Sequence, residues 1–147
     1  MKGKRAFTVI ELILVIVIFT ITFASLTPIV NKMKKKSNII KCSNNIRMLS
    51  LALHMYAADH GERFPARLSE LYPEYIKNEK IFDCPAAFVR GTVESPSYEY
   101  RGGLTESSNG TEVILYDKDD NHDKLGRSLV RVNGSVEWVQ SSAGKPR

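Results

Sequence analysis

An apolar run close to the N-terminus constrains this chain more than any other feature. It covers 19 residues, 12–30, and carries no charged side chain. A helix rises about 1.5 Å per residue, so this run is long enough to cross a bilayer core of roughly 30 Å. Glu11 stands immediately before the run, and a carboxylate at the edge of a membrane span costs about 2–3 kcal/mol if it sits deep. The pattern predicts a membrane-spanning helix and a partner for Glu11.

The residues before and at the start of the run form a specific pattern. A basic leader, residues 1–6, ends at Ala6, and the sequence Phe7-Thr8-Val9-Ile10-Glu11-Leu12 follows. This segment resembles the N-terminus of type IV pilins and type II secretion pseudopilins. The resemblance implies that a prepilin peptidase in the membrane cuts between Ala6 and Phe7 and methylates the new amine. The family usually has Gly at the position that Ala6 occupies here.

The same resemblance assigns roles to two further residues. It implies that Glu11 pairs with the N-terminal amine of a neighbouring subunit during filament assembly. Pro28 matches a helix-kinking proline of the family, since proline removes a backbone donor and clashes with the preceding turn. Two alternatives remain open. A secretory signal peptide usually has an apolar core of about 7–15 residues, and a plain single-pass anchor has no need for Glu11.

The net charge of +5 does not indicate a nucleic-acid-binding protein, because the basic residues are unevenly placed. They concentrate in the leader and at residues 32–36, where they would meet anionic lipid head groups. Residues 37–147 contain 14 Lys and Arg against 15 Asp and Glu, and they form no basic stripe. We therefore expect a single-pass protein of the inner (cytoplasmic) membrane, with its head in the periplasm or outside, and no nucleic acid as main partner.

A second helical pattern occupies residues 31–60. Apolar residues recur there at spacings of three and four and predict a stripe that packs against a small sheet; they are Ile39, Cys42, Ile46, Leu49, Leu53 and Tyr56. Gly61 is well placed to end the helix in a left-handed turn. We expect one helix, with a transmembrane and assembly half at 7–30 and a stem and head half at 31–60.

The remainder of the chain predicts an α+β head at residues 61–140. A short helix is expected at 68–75, and strand patterns occur at 98–101, 112–116, 128–132 and 135–139. Asn133-Gly134 supplies the positive φ angles of a two-residue hairpin turn. The expected fold class is α+β and pilin-like, with one long helix packed on three or four antiparallel strands. The tail at 141–147 is expected to be disordered.

The head region also resembles a set of short bacterial pilin-like proteins. The resemblance rests on residues 51–59, on Phe82-Asp83-Cys84-Pro85 and on the C-terminal segment from His122 to Trp138. Members often carry His, about ten residues and Asp-Gly, whereas His122 is followed by ten residues and Asn133-Gly134. This second resemblance bears on the fold more than on the function.

An acidic cluster at residues 117–123 is a candidate cation site. Asp117, Asp119 and Asn121 place oxygen atoms at alternate positions, as in the opening of a calcium loop. The sixth and twelfth positions are His122 and Ser128, which excludes an EF-hand. Pseudopilins bind calcium in a C-terminal loop, so the resemblance keeps calcium as a candidate cofactor. The alternative is a solvated acidic turn between two strands.

The chain has two cysteines, Cys42 and Cys84. They either form a disulfide that ties the stem helix to the loop after residue 83 or remain two separate buried thiols. Because they do not form a CxxC pair, they make no strong zinc or redox motif.

The functional prediction follows from the N-terminal pattern. No Ser/His/Asp order, glycine-rich phosphate loop or HExxH occurs, so we expect no enzyme. We expect a structural subunit of a pilin-like filament or pseudopilus, in a type II secretion or type IV pilus-like system. Its expected partners are prepilin peptidase and other pilin-like subunits. The alternative is a membrane-anchored binding module that does not polymerise.

Overall fold

Helix α1 spans Val9–Asp59 and takes in both apolar patterns of the N-terminal half. The computed structural model describes residues 8–118, 121–122 and 125–140, except for the side chains of residues 25–29. The chain divides into two units, Met1–Lys36 and Ser37–Arg147, and each contains one part of α1. The two parts differ in their surroundings, because apolar side chains are exposed in the first and largely buried on one face of the second.

The first part of α1 exposes apolar side chains at consecutive positions and therefore on every side of the helix. Val9, Phe19 and Phe23 are 76%, 62% and 66% exposed. The predicted membrane span is nevertheless wrong: within the described ranges, no helix is both long and apolar enough to cross a membrane. The single-pass inner-membrane location inferred from that span is corrected with it.

The structure describes three predicted N-terminal features to different extents. The cleavage site between Ala6 and Phe7 lies outside the described residues. Pro28 lies within α1, but its side chain is not among those described, and the kink stays a prediction. Glu11 lies in the first turn of α1, and its side chain is exposed.

The second part of α1 buries the predicted stripe. Cys42, Ile46, Leu49 and Leu53 are almost completely buried. The helix ends at Asp59, and Gly61 follows with a φ of 63°, as expected for a left-handed turn after a helix. The N–H of the following Glu62 donates to the carbonyl of Ala57 at 2.8 Å, a bond typical of helix ends with a left-handed residue.

Four strands form one antiparallel sheet in the order β1-β2-β3-β4. Strand β1 is Tyr98–Tyr100, β2 is Val113–Asp117, β3 is Gly126–Arg131 and β4 is Val136–Gln140. Each strand pairs with its neighbour in sequence. The α+β class with an antiparallel sheet is therefore confirmed, and the sheet has four strands.

The turn between β3 and β4 differs from the predicted two-residue turn. Gly134 has a φ of 79°, whereas Asn133 is not among the residues with positive φ. The N–H of Gly134 donates to the carbonyl of Arg131, which leaves a longer loop than Asn-Gly alone. The reason is Val132, whose side chain is buried and whose N–H continues the pairing with the β2 side through the carbonyl of Glu112.

Two short 3-10 helices, Leu68–Leu71 and Glu79–Phe82, lie between α1 and β1. The first replaces the helix predicted at 68–75. Buried side chains of both join those of α1 and of the sheet in one core; among them are Leu71, Phe82, Ile114 and Val130. The second 3-10 helix leads directly to Cys84 and so places this cysteine beside the core.

Candidate metal centre

Four side chains with metal-ligating atoms converge in the head: Cys42, Cys84, Asp117 and His122. One ligand atom from each lies within 4.8 Å of all the others. All four residues are buried, with exposed fractions of 0%, 1%, 0% and 3% in the same order. They come from four different places in the fold, so each has its own structural cause.

Cys42 reaches the cluster because it belongs to the buried stripe of α1. Its thiol donates a hydrogen bond to Asp117 Oδ1 at 2.9 Å. It also lies 3.6 Å from the hydroxyl of Tyr98, the first residue of β1. The helix thereby contacts the sheet through a polar group at a position where the pattern alone predicts an apolar contact.

Cys84 follows the second 3-10 helix in a segment that is fastened to α1. The side-chain amide of Asn45 donates to the carbonyl of Asp83 at 2.9 Å. The amide of Asn38 donates to the carbonyl of Pro85 at 3.2 Å. The two acceptors, Asp83 and Pro85, flank Cys84 in sequence, so these bonds hold Cys84 against the helix.

Asp117 is the last residue of β2 and the acceptor at the centre of the cluster. Its Oδ2 accepts a hydrogen bond from the backbone N–H of Ser128 at 3.1 Å, and Nε2 of His122 lies 3.2 Å from the same oxygen. Its Oδ1 accepts from Cys42 and, at 3.5 Å, from the amide of Asn121. A buried carboxylate needs such partners because an unpaired charge in the core is strongly destabilising.

His122 lies in the turn between β2 and β3 and directs one nitrogen into the cluster. Nε2 lies 3.2 Å from Asp117 Oδ2 and 3.6 Å from Cys84 Sγ. The edge of the ring packs against Trp138, with 5.2 Å between centroids. Nδ1 is buried and has no hydrogen-bond partner among the residues described, and the same holds for Ser128 Oγ.

The pKa values of the four groups reflect these contacts. Hydrogen bonds with Cys42 and His122 outweigh burial and lower the pKa of the Cys84 thiol to about 6. Burial acts to lower the pKa of His122, but its bonds with Asp117 and Cys84 raise it to about 9. The bond with Cys84, burial and the charge of Asp117 raise the pKa of Cys42 far above its usual range. Burial opposes ionisation of Asp117, but hydrogen bonds from His122, Cys42 and the Ser128 N–H lower its pKa.

The geometry is that of converging ligands and differs from that of a catalytic relay. In a Cys-His-Asp relay the imidazole stands between thiol and carboxylate and uses a different nitrogen for each. Here the carboxylate of Asp117 and the sulfur of Cys84 both approach Nε2 of His122. The burial of all four side chains also leaves no surface from which a substrate could reach the sulfur. A small cation fits this arrangement better than an acyl or thiol substrate.

The structure brings together some of the residues expected at sites and leaves others apart. Cys42 and Cys84 do meet, but as free thiols, so the disulfide considered from the sequence is not formed. Asp117 and Asn121 also meet. However, Asn121 directs its amide nitrogen at Asp117 and at the carbonyl of Ser97, and not its oxygen toward a shared cation. Asp119 lies outside the described residues, and the calcium site stays a prediction.

Sequence reasoning missed His122 and Asp117 as partners of the two cysteines. The ligands are separated by up to 80 positions in the chain and follow no local spacing rule. The available signals were the placement of Cys42 on the buried stripe and of His122 five residues after Asp117. Neither one points to the other without the pairing of the strands and the position of the segment around Cys84.

No family model, curated protein or solved structure matches this chain. By its fold and its site, the chain is an α+β protein with a four-stranded antiparallel sheet and a buried Cys-Cys-Asp-His cluster.

Proposed function

We propose that this protein is a structural subunit of a pilin-like filament or pseudopilus. In this proposal a prepilin peptidase processes it before Phe7, and it assembles through the first part of α1. The supporting observation is the exposed apolar surface of that part, where side chains such as Val9, Ile16 and Phe23 are half to three quarters exposed. A helix that is apolar on all sides needs a partner that covers it.

A bundle of like helices is the partner that the proposal assigns. Complete burial of a Val, Leu, Ile or Phe side chain contributes about 1.5–3 kcal/mol. Neighbouring α1 segments can bury many such side chains along the whole first part of the helix. Because the apolar residues are not confined to a stripe, each helix can contact several neighbours at once, as a filament core requires.

Glu11 sets the register in this assembly. Its carboxylate is the one charged group in the described part of the apolar segment and is exposed in the isolated chain. In a bundle it would be buried, and loss of one partner from a buried ion pair costs about 3–5 kcal/mol. The amine of Phe7 in a neighbouring subunit provides the opposite charge after processing, which is the role implied by the pilin resemblance.

The head is compatible with the same proposal. In pilin-like terms, the second part of α1 is the head half of a single long helix, and the four-stranded sheet covers its buried stripe.

The test is assembly of a Glu11→Ala variant in a host with pilin-type assembly machinery. We expect no sheared filaments by electron microscopy and no crosslinked ladder of subunits, because Glu11 would no longer neutralise the neighbouring amine. Glu94→Ala is the matched control, since Glu94 is an exposed acid in the head, and it should assemble normally. Normal filament yield from Glu11→Ala would overturn the Glu11 pairing. A wild-type chain that stays monomeric would instead favour a binding module.

A further inference from the structure

We propose that Cys42, Cys84, Asp117 and His122 bind one zinc ion in a closed structural site in the head. The inference is independent of filament assembly, because it uses no residue of the first part of α1. It adds to the protein a metal centre made from two thiolates, one imidazole and one carboxylate.

The ligand chemistry selects the metal class. Calcium and magnesium take oxygen ligands, whereas thiolate and imidazole suit zinc. Two of the four ligands are sulfur, one is nitrogen and one is oxygen. Zinc is also commonly four-coordinate with N and S ligands in structural sites. The described cluster supplies four ligands and no more, so every position of a tetrahedral ion would be filled by protein.

The ligand atoms lie close enough together for one ion to contact all four, although two of their hydrogen-bonded contacts are shorter than in a tetrahedral zinc site. Zinc binds sulfur at about 2.3 Å and nitrogen or oxygen at about 2.0–2.2 Å, so ligand atoms around one ion lie roughly 3.3–3.8 Å apart. The Cys84 Sγ to His122 Nε2 distance is 3.6 Å, and His122 Nε2 lies 3.2 Å from Asp117 Oδ2. Cys42 Sγ lies 2.9 Å from Asp117 Oδ1. A bound ion would replace these hydrogen bonds by bonds to the metal, and the contacts of Asp117 with Cys42 and His122 would lengthen.

The burial of the four side chains is a second, independent argument for a bound metal ion. Four ionisable side chains in one core are stable only if they are paired or coordinate a metal. The backbone N–H of Ser128 holds Oδ2 of Asp117 in place, and the packing on Trp138 fixes the His122 ring. Such outer contacts orient ligands in metal sites.

The site joins four separate elements of the head. Cys42 belongs to α1, Cys84 to the segment after the second 3-10 helix, Asp117 to the end of β2 and His122 to the following turn. A bound ion would therefore hold helix, loop and sheet together. Domains of about 100 residues have limited core area, and a structural metal adds directly to their folding free energy.

The first test measures metal in the full-length wild-type protein, purified with a thiol reductant and without chelator. We expect about one zinc per chain by inductively coupled plasma mass spectrometry. After exchange with cobalt(II), we expect the thiolate-to-cobalt absorption and the visible bands of a tetrahedral site. Absence of both stoichiometric zinc and the cobalt–thiolate absorption overturns the proposal, and so does binding of calcium alone.

Variants then identify the ligands. His122→Gln and Cys84→Ser should lower zinc affinity, measured by competition with a chromophoric chelator, by more than the 10–100-fold typical of an outer contact. His54→Gln is the matched control, because the His54 ring contacts Glu106 at 2.9 Å outside the cluster. Equal zinc affinity of His122→Gln and His54→Gln contradicts the assignment of His122. If a ligand variant fails to fold, the cobalt spectrum of the wild type still decides.

Discussion

At the scale of single residues, Gly91 controls the position of the segment that carries Cys84. Its N–H donates to Asp83 Oδ1 at 2.8 Å. A Cβ atom at Gly91 would lie 2.5 Å from the carbonyl oxygen of Phe82 and 2.6 Å from the backbone N of Ser97. Backbone meets backbone there, so a side chain can be accommodated only if the segment before Cys84 moves.

We predict that Gly91→Ala lowers the free energy of unfolding by about 1–3 kcal/mol, the usual effect of overpacking. Urea unfolding followed by circular dichroism measures this change. Gly110→Ala is the control, since its Cβ would meet only the Asn133 Cβ, at 3.3 Å, and we expect a smaller loss. Equal losses in the two variants would show that the close contact at Gly91 carries no energetic weight.

The residues of the metal centre mark a limit of sequence reasoning at this scale. The burial of Cys42 could be predicted, because helical periodicity places it on the packed face. The partnership of Asp117 with Cys42, Cys84 and His122 could not, because tertiary folding alone brings these groups together. The alternating oxygen ligands instead predicted a cation site made only of residues in the turn after β2.

At the scale of elements, the buried stripe of α1 explains why this segment packs against the sheet. Leu49 is completely buried, whereas Leu51, two residues later on the same helix, is 64% exposed. Periodicity predicted this helix face and the existence of all four strands. The hairpin turn was wrong in detail, because the buried Val132 extends the loop beyond Asn133-Gly134.

Leu49→Ala should lower the free energy of unfolding of the head by about 2–5 kcal/mol, since it leaves a cavity in the core. Leu51→Ala removes the same atoms from an exposed position, and we expect a change within about 0.5 kcal/mol. Chemical denaturation of the two variants side by side provides the measurement. A larger loss for Leu51→Ala than for Leu49→Ala would contradict the assigned packing face.

At the scale of the whole molecule, the proposed function depends on processing as well as on folding. The first part of α1 presents consecutive apolar side chains, and the pilin resemblance implies a new amine close to Glu11. Until the bond between Ala6 and Phe7 is cut, the nitrogen of Phe7 is a neutral amide and carries no charge that could pair with Glu11.

We therefore expect the mature protein from its native host to begin at N-methyl-Phe7. Intact-mass spectrometry and N-terminal sequencing measure both the cut and the methyl group. A start beyond Ala24 would indicate a signal peptide instead, and an uncut Met1 would contradict processing before Phe7. Either of these outcomes would move the functional assignment away from a pilin-type system.

The order of the strands also determines how the head can be assembled from its chain. Every strand pairs with its neighbour in sequence, so the contacts within the sheet join residues that are close together in the chain. The thiol of Cys42 and the carboxylate of Asp117, in contrast, are separated by 75 positions. Because loop closure loses more entropy as the loop lengthens, their contact is among the most demanding that the head makes. The polar cluster thus lies where the helix and the locally paired strands, which are far apart in sequence, come together as one domain.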